Sequence, residues 1–340
     1  MTARRRGVAL TPMETRLDVI VQTAVLADEL GYEVFALPEG WGLDSASVLT
    51  KIALGTQRIQ VASSVLSVWG RTPATLAMTA ATLHQISGGR YVLGLGASTK
   101  ALVEGFHDTA FADPAGRLRD VVTKVRALLA GQPARLDHAT AAFPLRLGQP
   151  PAPEVPIWVA ALGHRTLQVA AELGDGWVPV MVARDRLAGW VTSMREAAAP
   201  HGRALTVAAG PMTAVDEDAG AARSIAASCA AWYLTAMGDV YARSVSGQGY
   251  GAEVSAIIAA NPRPSPRRAA VPAEAQAVLD QLAAYGTRDQ VQEQLEPWDR
   301  AADIVMIGLP PGIPWGNIEA TLLAAAPTPA ADPAASLIRR

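Results

Sequence analysis

The sequence predicts a (β/α)8 barrel with an insertion between its seventh and eighth strands. Short apolar, β-prone runs alternate with longer one-sided helical patterns from Arg6 onward, which is the signature of a parallel α/β architecture. Eight such units follow one another, and no shift in composition divides the 340 residues into two parts. That length suits one barrel of about 250 residues plus insertions. The runner-up is a pair of doubly wound domains hinged at "LGQPPAPEVP".

The first strand is Gly7 to Leu10, and its helix runs from Glu14 to Leu30, where Leu17, Val21, Ala24, Val25 and Leu26 form a stripe that Gly31 ends. The second unit pairs Val34 to Leu37 with a helix over Ser45 to Leu54. The third runs from strand Ile59 to Leu66 through "SVWGRTP" into a helix over Ala74 to Ile86. The fourth strand is Arg90 to Leu95, with a helix over Arg117 to Leu129. Beyond the proline-rich connection come strands at Ile157 to Ala161, Trp177 to Met181 and Leu205 to Val215. Their helices are expected over Arg165 to Leu173, Leu187 to Ala199 and Ala221 to Ala236. The last strand is Ile304 to Leu309, closed by a helix over Asn317 to Ala325. The barrel domain is therefore expected over residues 1–326. Its insertion, about 244–284, is expected to be irregular, because the prolines of "NPRPSPRRAAVP" oppose helix and strand in that stretch. The small and proline residues of 327–340 predict a flexible tail.

Composition excludes several classes of partner. Half of the residues are hydrophobic, 18% are charged and the formal net charge is -2, so nucleic acid and anionic membranes find no basic field. No stretch reaches the 18 or so apolar residues of a membrane span. The arginines at 4 to 6 precede too short an apolar run for an export signal, and a cytoplasmic protein acting on a small molecule is expected. The single cysteine, Cys229, permits no intrachain disulfide and sits in an Ala-rich stretch that favours a buried structural thiol. H-x-x-x-H and C-x-x-C spacings are missing, so no metal site is expected.

Barrel active sites lie at the C-terminal ends of the strands, which selects a small set of side chains. Glu39 and Trp41 follow the second strand; Ser63, Ser64, Trp69 and Arg71 follow the third; Ala97, Ser98, Thr99, Glu104 and His107 follow the fourth. Gly94 and Gly96 in "YVLGLGAST" suggest a dinucleotide turn, but Thr99 occupies the third glycine position and the motif lies too deep in the chain. The clearest physical reading belongs to Leu162, Gly163, His164 and Arg165. A glycine opening a helix leaves free N–H groups for an anion, and the next two residues add positive charge.

In order, "LADELGYEVFALPEGWGLD", "VASSVLSVWGRTPATLAMTAATLHQISGGRYVLGLGAS", "ALVEGFHDTAF" and "PIWVAALGHRTLQVAAELGDGW" closely resemble the luciferase-like monooxygenase superfamily. The resemblance covers roughly Arg6 to Ala325 and is weakest in the insertion. It implies a (β/α)8 barrel with a flavin or deazaflavin in its mouth. "PEGWGLD" and "LVEGFHDTAF" look most like the branch that uses coenzyme F420, with Phe106 in place of the usual Trp. For this chain it implies a non-prolyl cis peptide at Ser64-Val65, in a bulge that backs the ring. Glu39, Ser63, Ser64 and Val65 then belong to the cofactor wall, Ala97, Ser98 and Thr99 lie beside the ring, and the phosphate turn falls on Leu162, Gly163 and His164. Acid-base help is assigned first to Glu39, then to Glu104 and His107. The branch's catalytic His in the strand-two loop has no counterpart, since Glu39 or Gly40 stands there. FMN is the alternative cofactor, for a monooxygenase on the same barrel, and a non-catalytic ligand-binding barrel is the second alternative. Members are often dimers, so a homodimer is compatible with the resemblance.

Overall fold

The structure, a computed structural model, describes residues 4–135, 143–265 and 268–327. In chain order its strands are β1 (Arg6–Ala9), β2 (Val34–Leu37), β3 (Gln60–Ser63), β4 (Leu66–Ser67), β5 (Tyr91–Gly96), β6 (Ile157–Ala160), β7 (Gly176–Trp177), β8 (Thr206–Ala209), β9 (Met212–Val215), β10 (Ala283–Gly286) and β11 (Ile304–Gly308). Eight of them close a parallel ring in the order β1, β2, β3, β5, β6, β7, β8, β11, with β11 returning to β1 through Arg6↔Val305 to Ala9↔Gly308. Closure is the (β/α)8 barrel that the sequence predicts. The two-domain alternative fails because β5 and β6, on either side of "LGQPPAPEVP", pair directly from Leu93↔Ile157 to Gly96↔Ala160.

The helices are α1 (Leu17–Glu29), α2 (Ser45–Gly55), α3 (Pro73–Ile86), α4 (Lys100–Gly105), α5 (Pro114–Leu129), α6 (His164–Leu173), α7 (Arg184–Ala198), α8 (Ala219–Ala236), α9 (Asp239–Val245), α10 (Gly251–Ala260), α11 (Gln276–Leu282), α12 (Arg288–Ala301) and α13 (Trp315–Ala324). Around the barrel α1, α2, α3, α5, α6, α7, α12 and α13 pack each against the next, and α13 returns to α1. The strands alternate with period two. Val8, Phe35, Val61, Leu93, Val159, Val207 and Ile307 face the helices in the main core. Ala9, Val34, Ala36, Ala62, Val92, Trp158, Val178, Ala208 and Met306 fill the barrel itself.

Several expectations change. The third strand, expected over Ile59 to Leu66, is interrupted between β3 and β4, and the sixth, expected over Trp177 to Met181, is strand only at Gly176–Trp177. The expected seventh strand, Leu205 to Val215, is two strands, because the chain bends at Gly210-Pro211. A Cβ on Gly210 would lie 1.9 Å from the Met306 carbonyl oxygen, and Pro211 has no N–H for a ladder. Beyond the bend, β9 keeps the register pair Met212↔Gly308 with β11 of the ring and otherwise pairs with β10. Consequently α8, expected as the seventh barrel helix, packs on β9 and β10 instead, and α12 takes its place in the ring. The polar sequence of α12 and its internal Pro297 hid it, although Val291, Leu295 and Trp298 form a buried stripe and Thr287 with Gln290 makes a capping box. The stretch expected to be irregular, 244–284, carries α10, α11 and a π-helical turn at Ser246–Tyr250. The described residues of "NPRPSPRRAAVP" contain neither helix nor strand. The expected tail, 327–340, lies outside the described residues except for its first. No helix among the described residues is long and apolar enough to cross a membrane.

One carboxylate joins the first two units to the third strand. Asp28, near the end of α1, accepts backbone N–H bonds from Gln57 at 2.8 Å, Arg58 at 2.9 Å and Ile59 at 2.7 Å. Burial alone would raise its pKa, but the three backbone donors and the Arg58 charge outweigh burial and hold it below the usual carboxylate value. A depressed folded-state pKa contributes stability that is fully present above the unfolded value of about 3.9 and is lost as pH falls through the folded value. Urea titrations at a series of pH values should show Asp28→Asn less stable by about 1–3 kcal/mol at neutral pH. The variant's stability should also fall less steeply than the wild type's below about pH 4.

Candidate active site

The C-terminal mouth of the barrel is shaped by a bulge where β3 ends. Ser64-Val65 is a cis peptide, as the resemblance implies, and the chain then resumes as β4 against Leu95 and Gly96 of β5. Ser64 N–H donates to the Leu37 carbonyl at 2.9 Å, and the Val65 carbonyl accepts from Glu39 N–H at 3.4 Å. The bulge rests on the two glycines of β5. A Cβ on Gly94 would stand 2.0 Å from the Ser63 carbonyl oxygen, and one on Gly96 would stand 2.6 Å from Val65 Cγ2. These glycines therefore make room for the neighbouring strand rather than for a dinucleotide.

Ser63 is 1% exposed. Its Oγ donates to the Gly94 carbonyl and accepts from Gly94 N–H at 2.9 Å and Tyr91 Oη at 3.1 Å. That hydroxyl is consumed in the barrel wall. Ser64, Val65, Ala97, Ser98 and Thr99 are half-buried at the mouth. Ser98 holds a left-handed backbone, φ 61°, a conformation that non-glycine residues favour little and that recurs at functional sites. Trp69 is committed to packing: its Nε1 donates to the Ala97 carbonyl at 2.8 Å, and its ring meets Phe111 and the Arg117 guanidinium. Trp41 remains 45% exposed at the rim.

Glu39 lies at the end of β2, and both of its oxygens are occupied. Arg71 grips it through two nitrogens, one at 2.9 Å, and Ser45 N–H donates to it at 3.1 Å. Arg71 also bonds Asp44, the N-cap of α2. The hydrogen bond to Glu39 raises the Arg71 pKa further above its usual value, so the guanidinium stays charged. This bidentate pair fastens the loop after β2 to the loop after β4, and Arg71 is the partner that sequence reasoning left without a role. Glu104 and His107 sit higher. Glu104 is exposed on α4, accepting from Phe111 N–H at 3.3 Å, with Lys100 Nζ at 3.7 Å. The half-buried His107 ring packs on Gly70, where a Cβ would stand 3.1 Å from it.

Gly163 is the N-cap of α6, and no side chain caps the helix. A Cβ at Gly163 would meet only Thr166 Oγ1, at 3.6 Å. Gly163 and His164 are exposed and Leu162 is half-buried. Arg165 is paired with Asp113 at 2.7 Å, so the turn offers backbone donors and His164.

The chain between β9 and β10 reaches this mouth at two places. Gly238, between α8 and α9, lies against Thr99, with a built Cβ 3.2 Å from Thr99 Cβ. Buried Gln248 donates from Nε2 to the Met181 carbonyl at 3.2 Å and accepts from Ala183 N–H at 2.7 Å. Met181 is another left-handed residue, φ 60°. Sequence reading missed Gln248 because its signal, a lone amide in a stretch without a pattern, has no periodicity. Cys229 is buried against Met212 Sδ at 3.7 Å, and burial pushes its thiol up to about 12, which fits a structural thiol. Two further cavities lie apart from the mouth. One of ≈ 360 Å³ is lined by Arg184, Asp280, Tyr285 and Gln290, and one of ≈ 260 Å³ at the opposite end of the barrel is lined by Glu33, Trp158 and Asp175. Neither contains a residue selected from the sequence.

Replacing Glu39 by Gln leaves the charged Arg71 half-paired. Urea denaturation should show a loss of about 1–2 kcal/mol, below the fully buried limit because both side chains retain some solvent contact. Arg71→Lys should cost a similar amount, since an ammonium cannot make the bidentate grip.

The chain matches the luciferase-like monooxygenase profile over residues 1–303. It is 28% identical over 315 residues to the putative coenzyme F420-dependent oxidoreductase Rv3520c of Mycobacterium tuberculosis, covering 83% of this chain and 87% of the relative. Its fold is similar to the coenzyme F420-dependent tetrahydromethanopterin reductase of Methanopyrus kandleri, with a TM-score of 0.77, 20% identity, and 95% and 97% of the two chains covered. It is also similar to the oxygenating constituent of 3,6-diketocamphane monooxygenase from Pseudomonas putida, solved with FMN, with a TM-score of 0.66, 16% identity, and 96% and 98% covered. From its closed barrel, its Ser64-Val65 bulge and a profile match spanning most of its length, the chain belongs to the luciferase-like monooxygenase family.

Proposed function

We propose that the protein is a coenzyme F420-dependent oxidoreductase that transfers a hydride between the deazaflavin and a small organic carbonyl or alcohol. The observation that carries this reading is the placement, on one barrel mouth, of an uncapped helix N-terminus at Gly163 and His164 and a low glycine wall backed by the Ser64-Val65 bulge. A phosphate-bearing planar cofactor fits both. The preference for F420 over FMN is supported by "PEGW" and "VEGFH" in this chain and by the name of the similar mycobacterial relative.

When bound, F420 supplies a two-electron hydride donor or acceptor, the chemistry the protein itself lacks. The chain's own residues do the rest. Backbone N–H groups of α6, with His164, hold the phosphate. Val65 and the bulge back the ring, and Ala97, Ser98 and Thr99 border it. Glu39 is a positioning carboxylate, since Arg71 and Ser45 occupy both its oxygens. The matching proton is assigned to Glu104, one oxygen of which has only Lys100 at 3.7 Å, with His107 beside it on the rim. The insertion, clasped at Thr99 and Met181, keeps water from the reacting face.

Fluorescence titration should show F420 binding at least tenfold tighter than FMN, together with a rise in melting temperature, because a ligand selective for the native state must stabilise it. Tight FMN binding with no response to F420 would transfer the reading to the monooxygenase alternative. No thermal response to either would favour a non-catalytic barrel. Gly163→Asp is a sharper probe. Its carboxylate would cap α6 and leave stability equal or slightly higher, while like-charge repulsion should weaken F420 binding by at least tenfold.

A further inference from the structure

The two cavities apart from the mouth differ in how their charges are matched. In the one at the opposite end of the barrel, Arg5 grips Glu33, and Asp175 is held by Arg126 and Arg203. The cavity of ≈ 360 Å³ beside β10 leaves its charges open. Its walls include Arg184, the first residue of α7, Asp280 of α11, Tyr285 of β10 and Gln290 of α12. Arg184 is half-buried, yet among the described residues its side chain has no hydrogen bond or ion pair; every other described arginine has such a partner or is exposed. Asp280 has one oxygen occupied: Oδ1 accepts from Tyr285 Oη at 2.5 Å and from Gln276 Nε2 at 2.7 Å. Gln290 turns back so that its Oε1 accepts from Thr287 N–H at 2.9 Å, which leaves its Nε2 group without a described partner. That turn requires Gly286, where a Cβ would stand 2.3 Å from Gln290 Oε1.

The fold holds the two opposite charges apart across the cavity. Their chain neighbours are tied directly, Asp185 N–H donating to Gln281 Oε1 at 3.0 Å, and Tyr285 fixes the Asp280 carboxylate, yet Arg184 and Asp280 do not pair. A bare anion here would meet Asp280, and a bare cation would meet Arg184. A small zwitterion satisfies both walls: a carboxylate on the Arg184 guanidinium and the Gln290 amide, and an ammonium on Asp280 Oδ2. The volume is at the small end of ligand cavities, which run from about 300 Å³ upward. Arg184 also stands inside the segment that the cover of the mouth grips. Gln248 holds the Met181 carbonyl and Ala183 N–H before it, and Arg186 Nε donates to the Gln248 carbonyl at 3.1 Å after it.

We propose that this cavity binds a free α-amino acid, its carboxylate on Arg184 and Gln290 and its ammonium on Asp280, and that the bound molecule steadies the Gln248 clasp at the mouth. The proposal does not rest on the F420 reading, because every readout below uses cofactor-free protein. The probes are L-alanine and its two halves, propionate and ethylamine. L-alanine should raise the melting temperature along a saturating curve. Each half should bind at least about tenfold more weakly, the scale of one lost charge-assisted hydrogen bond. Arg184→Gln should melt near the wild-type temperature without ligand and lose about tenfold or more in alanine affinity. Asp280→Asn, which keeps an acceptor for Tyr285, should lose the preference for alanine over propionate. At saturating alanine, hydrogen exchange of the Ala183 and Asp185 amides should slow severalfold. A rise in melting temperature that is linear in concentration, or that persists in Arg184→Gln, is exclusion of solute from the surface and would overturn the site. Propionate equal to alanine on the wild type would overturn the zwitterion, and unchanged exchange at saturation would overturn the link to the cover.

Discussion

The mouth of this barrel depends on one close contact, between the bulge that ends β3 and the bare backbone of β5. The Ser63 carbonyl and the Val65 side chain occupy the space that side chains at 94 and 96 would fill. Ser63 Oγ then ties the two strands, accepting from Gly94 N–H and from the Tyr91 hydroxyl. Everything placed at the mouth inherits that geometry. Glu39 hangs from the Val65 carbonyl, Arg71 holds Glu39 from the far side of the bulge, and Trp69 reaches back to the Ala97 carbonyl. A rigid wall of this kind lets a site place a planar ligand without reordering at the moment of binding.

The cover of the mouth is built differently. The chain between β9 and β10 holds to it through a small number of specific contacts: Gln248 reading the backbone of Met181 and Ala183, and Gly238 resting on Thr99 just beyond β5. β9 and β10 anchor the insertion outside the ring, so it leans over the barrel without interrupting it. The mouth thus joins a stiff wall of close backbone contacts to a cover held by a few specific hydrogen bonds and one close approach.

The barrel was legible in the sequence because a buried parallel strand is a short apolar run and an outer helix is a one-sided stripe. Val34 to Leu37 and Ile157 to Ala161 are found almost to the residue. What escaped was long-range. Nothing local in Leu205 to Val215 announces that Gly210 must touch the Met306 carbonyl, and α12 reads as a polar, proline-bearing stretch until its three buried residues find their neighbours. The same holds at the site. The glycine turn at 163 follows from helix electrostatics alone. The occupation of Glu39 by Arg71 appears only once the loops after β2 and β4 lie side by side.

If the β3 bulge and the α6 N-terminus frame a single cofactor slot, a crystal structure of the protein with F420 will show phosphate oxygens within hydrogen-bond distance of the N–H groups that open α6 at His164, and one face of the deazaflavin against Val65. Phosphate held elsewhere, for instance in the polar cavity beside Arg184 and Tyr285, or a ring standing clear of the bulge, would contradict it.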